Sequence, residues 1–254
     1  MLNKFFSFVM VLFLAASVIA AEDYWVKPMQ DVHKKFTGLK GSVRLCGDSI
    51  TEDSNFWSTI PAVNSTADFD YKNARDYVEP DSWCINGPAF GNKKGWTVKN
   101  GMGVLDVLIL KRQNPEVCIV KFGANDLRLG GPAKTGYDKE MRIFIDKILN
   151  NGTIAIMSTI APIRDKVKEV GEYNIEIKKI ALEKKVPLIE FYEEVMKRQP
   201  EKWDAELLSD GTHLNWNKEF SGFDEESLKK NGNMVRNYVT FKKYAEVYEK
   251  VLKK

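Results

Sequence analysis

Five runs of β-prone, largely apolar residues are spread widely along the chain: SVRLC (42 to 46), SWCIN (82 to 86), VCIVKFG (117 to 123), TIAIMSTIAP (153 to 162) and VPLIEFY (186 to 192). Hairpin strands need only a short turn and tend to alternate apolar with polar residues. Apolar runs set far apart belong instead to a parallel sheet buried on both faces. The stretches between them supply the cover. Helical periodicity spans 98 to 113, 137 to 150 and 166 to 185, with Ile175, Ile177, Ile180, Ala181 and Leu182 making up much of the last apolar face. Strands alternating with helices predict an α/β fold. The polar, aromatic-rich segment 52 to 81 is expected as a helix or long loop over one end of the sheet. Residues 234 to 254 place Val235, Tyr238, Val239, Ala245, Tyr248, Val251 and Leu252 at helical spacing, as a packing face.

The first 21 residues, MLNKFFSFVMVLFLAASVIAA, read differently. One Lys, an apolar core of about a dozen residues and a small-residue end with Val18 and Ala20 make a secretory signal pattern, too short and wrongly flanked for a spanning helix. The expected protein is therefore exported, secreted or periplasmic, and 22 to 254 form one domain of about 233 residues, long enough for one substantial core. A net charge of +3 from interspersed lysines and glutamates gives no basic stripe for nucleic acid. Of the three cysteines, Cys46, Cys84 and Cys118, each lies in an apolar run and none in a CxxC pair, so buried free thiols are expected.

Ligands of open parallel sheets bind outside the carboxyl ends of the strands. Four polar clusters follow strand runs or come late in the chain: Gly47-Asp48-Ser49, the loop NGPAFGNKKGWT, Gly123-Ala124-Asn125-Asp126, and SDGTH with Asp210 and His213. Their residue types suit acyl transfer. A serine hydroxyl needs a base, usually imidazole, to take its proton. The chain has two histidines. His33, ahead of the first strand, suits a surface or packing role, which leaves His213 as base. Asp210 stands three residues earlier, a spacing that lets a carboxylate hold the other ring nitrogen. DGTH also suits a turn followed by a helix cap, and GAND a turn that ends a strand. An oxyanion would be met by the Ser49 amide, a glycine amide of the second loop and the Asn125 side chain.

In this order on a βα alternation, the blocks resemble the SGNH, or GDSL-type, hydrolase family. GDSIT is similar to its first block, Gly95-Trp96-Thr97 to its second, GAND to its third and DGTH to its fifth. The resemblance implies a flavodoxin-like three-layer α/β/α sandwich with a parallel five-stranded sheet of order 2-1-3-4-5. It implies Ser49 as nucleophile, Asp210 and His213 as the rest of a triad, and Ser49, Gly95 and Asn125 as oxyanion donors, with Gly91 the alternative to Gly95. Asp48 and Asp126 would brace loops. No GxSxG elbow, HExxH, paired CxxC or GxxxxGK[ST] occurs, so no metal or cofactor is expected. The implied activity is a serine esterase acting on small-molecule or polysaccharide esters, foremost a carbohydrate acetyl esterase, with Trp96, Arg128 and Trp216 as candidate substrate contacts. A lipolytic esterase or lysophospholipase of the same fold, and a non-catalytic glycan-binding module, are the alternatives.

Overall fold

The computed structural model of the protein describes residues 23–63 and 67–254, so the signal segment expected at 1 to 21 lies outside the described residues. Four strands, β1 (Leu39–Gly47), β2 (Pro115–Lys121), β3 (Ile154–Ser158) and β4 (Leu188–Ile189), lie side by side in that order, and all three pairings are parallel. Gly47 and Lys121 are register partners, so β1 and β2 end level with each other. Every residue of β2 and β3 is buried, as a strand covered on both faces must be.

The helices are α1 (Val26–His33), α2 (Ser49–Glu52), α3 (Tyr71–Tyr77), α4 (Val98–Val104), α5 (Ala124–Leu129), α6 (Gly131–Asn150), α7 (Val167–Lys184), α8 (Phe191–Arg198), α9 (Trp203–Glu206), α10 (Glu225–Lys230) and α11 (Gly232–Val247). α4 continues as a wider helical segment to Gln113, and α11 does the same to Leu252. α4, α6 and α7 pack in succession as one group. α3 and α8 pack on α11, and α1 on the segment that continues α11, as another. Among the described residues no helix is long and apolar enough to cross a membrane.

The strand expected at 82 to 86 does not form. Pro80–Trp83 is a single 3₁₀ turn, and the expected five-stranded order becomes a row of four. The physical reason lies on the outer edge of β1, whose polar groups are met without a strand. Val43 N donates to Ser82 Oγ at 3.0 Å, and Asn92 Nδ2 donates to Leu45 O at 2.9 Å and Ile85 O at 3.0 Å. Gly47 N donates to Gly91 O and Gly47 O accepts from Lys93 N. Trp83 is drawn instead onto Trp57, with ring centroids 5.1 Å apart. Cys84 in this turn is therefore exposed, contrary to the expected burial, while Cys46 and Cys118 are buried.

On α7 the apolar face is narrower than expected. Ile177, Ile180 and Ala181 are buried, but Ile175 and Leu182 are 69% and 60% exposed. Each lies two residues from a buried isoleucine, a step that turns about 200° around a helix. The described residues of the segment 52 to 81 include the end of α2, a 3₁₀ turn at Ile60–Ala62, α3 and the start of the Pro80–Trp83 turn. Its rings, with Trp57 and Tyr71 foremost, pack against Phe241 of α11. The C-terminal helix is the packing element its periodicity predicts, with Val235, Tyr238, Ala245, Val251 and Leu252 buried.

Candidate active site

β1 ends at a residue that only glycine can occupy. A Cβ on Gly47 would stand 2.1 Å from Thr51 Oγ1 and 2.6 Å from Lys121 O, because the chain folds straight back into α2. Asp48 caps that helix, its Oδ1 accepting from Ile50 N at 3.1 Å, and Ser49 is the first helical residue. As is usual at that position, the Ser49 amide meets no acceptor among the described residues.

His213 arrives on a tight loop closed by an antiparallel bridge between Leu208 and Leu214 and by Ser209 N donating to His213 O at 2.8 Å. Inside it, Asp210 Oδ1 accepts from Thr212 N at 3.0 Å and from His213 N at 2.8 Å. The turn expected of DGTH is thus present, and it orients the ring. Asp210 Oδ2 lies 2.7 Å from His213 Nδ1, and His213 Nε2 lies 3.0 Å from Ser49 Oγ. Three residues from two distant parts of the chain form one hydrogen-bonded line. With Nδ1–H donating to the carboxylate, Nε2 is left as an acceptor for the serine hydroxyl. Partial burial pushes the Asp210 carboxyl upward. The His213 amide, the His213 ring and the Thr212 amide more than offset that, holding it down at about 2, so it stays ionised at neutral pH.

The second and third clusters meet beside this line. Lys93 N donates to Gly47 O and Lys94 N to Glu52 Oε2, tying the loop to the end of β1 and to α2. On the β2 side, Asn125 Nδ2 donates to Trp96 O at 3.0 Å and Val98 N donates to Asp126 Oδ1 at 3.2 Å. The two candidate glycines differ in kind. Gly91 is buried with φ of 99°, its amide donates to Pro88 O, and a Cβ would lie 3.0 Å from Cys46 Sγ. Gly95 is exposed with open space around it, and its amide meets no acceptor among the described residues. The Gly91 amide is therefore already engaged in the fold, while the Gly95 amide is free to serve a ligand.

Of the expected substrate contacts, Arg128 donates through Nη2 to Thr212 Oγ1, bridging the helix of Asn125 to the loop of His213. Trp96 and Trp216 are half-buried, with part of each ring packed on the core. The loop after β3 also supports the histidine turn, Arg164 N donating to Gly211 O at 2.9 Å. His33 lies elsewhere, 2.7 Å from the buried Glu116 near the start of β2. Among the described residues no group of three or more His, Cys, Asp or Glu side chains is placed to hold a metal ion.

Three buried charges in this region were not singled out from the sequence as a group. Lys121 Nζ spans both oxygens of Asp48 at 2.9 and 3.0 Å, and Arg236 of α11 donates to Ile50 O and to Thr51 Oγ1. A lysine inside the otherwise apolar run VCIVKFG was the available signal, because lysine is almost never fully buried unless paired.

Asp126 is buried, and its Oδ2 has no partner. Desolvation pushes its carboxyl up to about 7, against the pull of the Val98 amide and with the Asp48 and Glu140 charges adding to the rise. A carboxyl raised in the folded state binds more protons there than in the unfolded chain. Its contribution to stability is then full below the unfolded value and is lost as pH rises through about 7. This group alone is expected to lower wild-type stability along the pH curve between pH 4 and pH 7, by up to roughly 4 kcal/mol. An Asp126→Asn variant should flatten that part of the curve in thermal melts across the range. An unchanged slope would show that Asp126 is not the group responsible.

The sequence matches the GDSL-like Lipase/Acylhydrolase family over residues 45–217, which contain all four clusters. The chain belongs to that family. No curated protein matches the sequence. Among solved structures, the GDSL-like chain is similar to an acetyl xylan esterase at 21% identity and a TM-score of 0.54, covering 74% of this chain and 93% of the other. It is similar to a member of the lipolytic protein G-D-S-L family from Veillonella parvula at 15% identity and 0.54, covering 78% and 94%. A catalytic mutant of an acetylxylan esterase from Geobacillus stearothermophilus matches at 14% identity and 0.54, covering 82% and 96%. At these identities the likeness is one of fold.

Proposed function

We propose that this GDSL-family protein is an exported serine esterase that hydrolyses carboxylic esters through an acyl-enzyme on Ser49. The observation that carries the reading is the continuous line from Ser49 Oγ through His213 to Asp210, at 3.0 and 2.7 Å. His213 Nε2 takes the hydroxyl proton as Ser49 attacks the ester carbonyl, and the tetrahedral oxyanion is met by the Ser49 and Gly95 amides and Asn125 Nδ2. His213 then returns the proton to the departing alcohol. A water molecule, deprotonated in turn by His213, attacks the acyl carbon, and the bond to Ser49 Oγ breaks as His213 returns the proton to Oγ, which releases the acid. Asp210 holds the tautomer and stabilises the imidazolium. The expected signal segment supports export.

The substrate class follows from access. His213 and Asp210 side chains are 39% and 56% exposed, so the base stands at an open rim rather than at the bottom of a tunnel. An open rim suits a small acyl group carried on a large alcohol. With two acetyl xylan esterases among the similar folds, the proposed substrate is an acetylated polysaccharide.

The test is hydrolysis of p-nitrophenyl acetate, and acetate release from acetylated xylan, by the mature protein beside a Ser49→Ala variant. Wild type is expected to turn over both substrates and the variant neither. If both proteins are folded and equally inactive, the esterase reading fails. If both bind glycan without turnover, the protein is a binding module.

A further inference from the structure

A helix of four residues cannot hold itself, because nucleation fixes several backbone angles for a single hydrogen bond. α2, which starts with Ser49, must therefore be held from outside, and it is gripped at both ends by buried cations. At its start, the cap Asp48 takes Lys121 Nζ on both oxygens, and the two side chains are 2% and 1% exposed. Lys121 is the last residue of β2 and faces Gly47 in register, so the anchor is a rigid strand end. One turn later, Arg236 donates to Ile50 O and Thr51 Oγ1, and its guanidinium lies 3.5 Å from the centre of the Phe56 ring.

Burying a lysine this deeply is costly, and a well-packed apolar residue of similar volume often serves stability equally well. Desolvation holds Lys121 below its ordinary value. Asp48 and Asp126 act against that, and the Arg236 charge adds to it. Arg236 is likewise brought down to about 9 by burial, opposed by Asp48 and Asp53. The Lys121–Asp48 pair thus costs solvation at the end of β2, level with the end of β1 that leads into Ser49.

We propose that Lys121 is a positioning residue for the nucleophile: acting through Asp48, it fixes the turn from which Ser49 reaches His213, while Arg236 fixes the turn's other end. The inference rests on the ester hydrolysis proposed above.

Lys121→Met alone would strand a buried carboxylate and risk unfolding. The paired variant Asp48→Asn/Lys121→Met removes both charges together and keeps a capping side chain. Thermal melting, kcat and KM on p-nitrophenyl acetate, and the rate of covalent labelling of Ser49 by a fluorophosphonate are measured for wild type, Asp48→Asn and the paired variant. The paired variant is expected to melt cooperatively and to lose roughly 10- to 100-fold in kcat. KM should stay within about twofold, as for an interaction that serves only the reacting step, and labelling should slow in proportion. Asp48→Asn should lose kcat to the same extent, because removing either end releases the turn. A kcat within about threefold of wild type, or a loss that falls on KM, overturns the proposal. If the paired variant does not fold, Asp48→Asn/Lys121→Leu, which also leaves no buried charge alone, is judged by the same thresholds. A wild type that neither hydrolyses the ester nor takes the label overturns the esterase reading itself, and this inference with it.

Discussion

A His213→Ala variant is expected to lose roughly 10⁴- to 10⁶-fold in kcat on p-nitrophenyl acetate while remaining folded. The magnitude follows from how isolated the base is. His213 Nε2 is 3.0 Å from Ser49 Oγ, and the only other histidine, His33, is engaged by Glu116 near the start of β2, at the far end of the strand from Lys121. No second imidazole stands ready to take the serine proton. The side chain lies partly in solvent on a loop held by its own backbone bonds, so its removal should change the melting temperature little. Steady-state kinetics and a thermal melt check both halves. A loss below about tenfold would mean that the proton leaves Ser49 by another route.

The second large effect is expected at Asn125. Asn125→Ala should lower kcat by roughly 10²- to 10³-fold, the usual result of deleting one donor to a developing oxyanion. Its amide nitrogen carries two hydrogens, of which one is given to Trp96 O at 3.0 Å and the other remains for a ligand. The same deletion frees the Trp96 carbonyl and loosens the loop that presents Gly95. The kinetic loss should therefore fall toward the upper end of that range. A drop of less than about threefold would remove Asn125 from the reaction.

The parts of this architecture most legible in the sequence are those with a period. Long apolar runs alternating with helical stretches announce a parallel sheet, and four of the five expected runs contain a strand, though the run 186 to 192 keeps only Leu188–Ile189 and passes into α8 at Phe191. The run SWCIN misleads because its residues are β-prone but its hydrogen-bonding task is done by others. Ser82 and Asn92 side chains satisfy the edge of β1, and the rings of Trp57 and Trp83 hold the segment in a turn. Local propensity reports what a segment prefers, not whether a neighbouring edge still needs a partner.

The site divides in the same way. Ser49, Asp210 and His213 stand out through their combination and order on a βα alternation, although each block alone also suits a turn. Lys121 and Arg236 do not, because each sits in a stretch whose pattern reads as packing, and only spatial proximity reveals Asp48 between them. The asparagines of α11 are hidden for a related reason. Asn237 bonds Trp57 N and Asn55 O, and Asn233 bonds Asp53 Oδ2. One face of an apparently ordinary packing helix is thus sewn to the segment that follows Ser49.

That seam bears on the order in which the molecule can become active. Ser49 leaves the ribosome early, but the arginine and asparagines that seat its turn lie at 233 to 237, beyond the stretch that matches the family. During synthesis Ser49 is present long before that support. Reactivity would then appear only when residues through 237 have emerged and α11 has docked. A fragment ending near residue 217 would carry serine, aspartate and histidine without the arginine and asparagines that seat the turn.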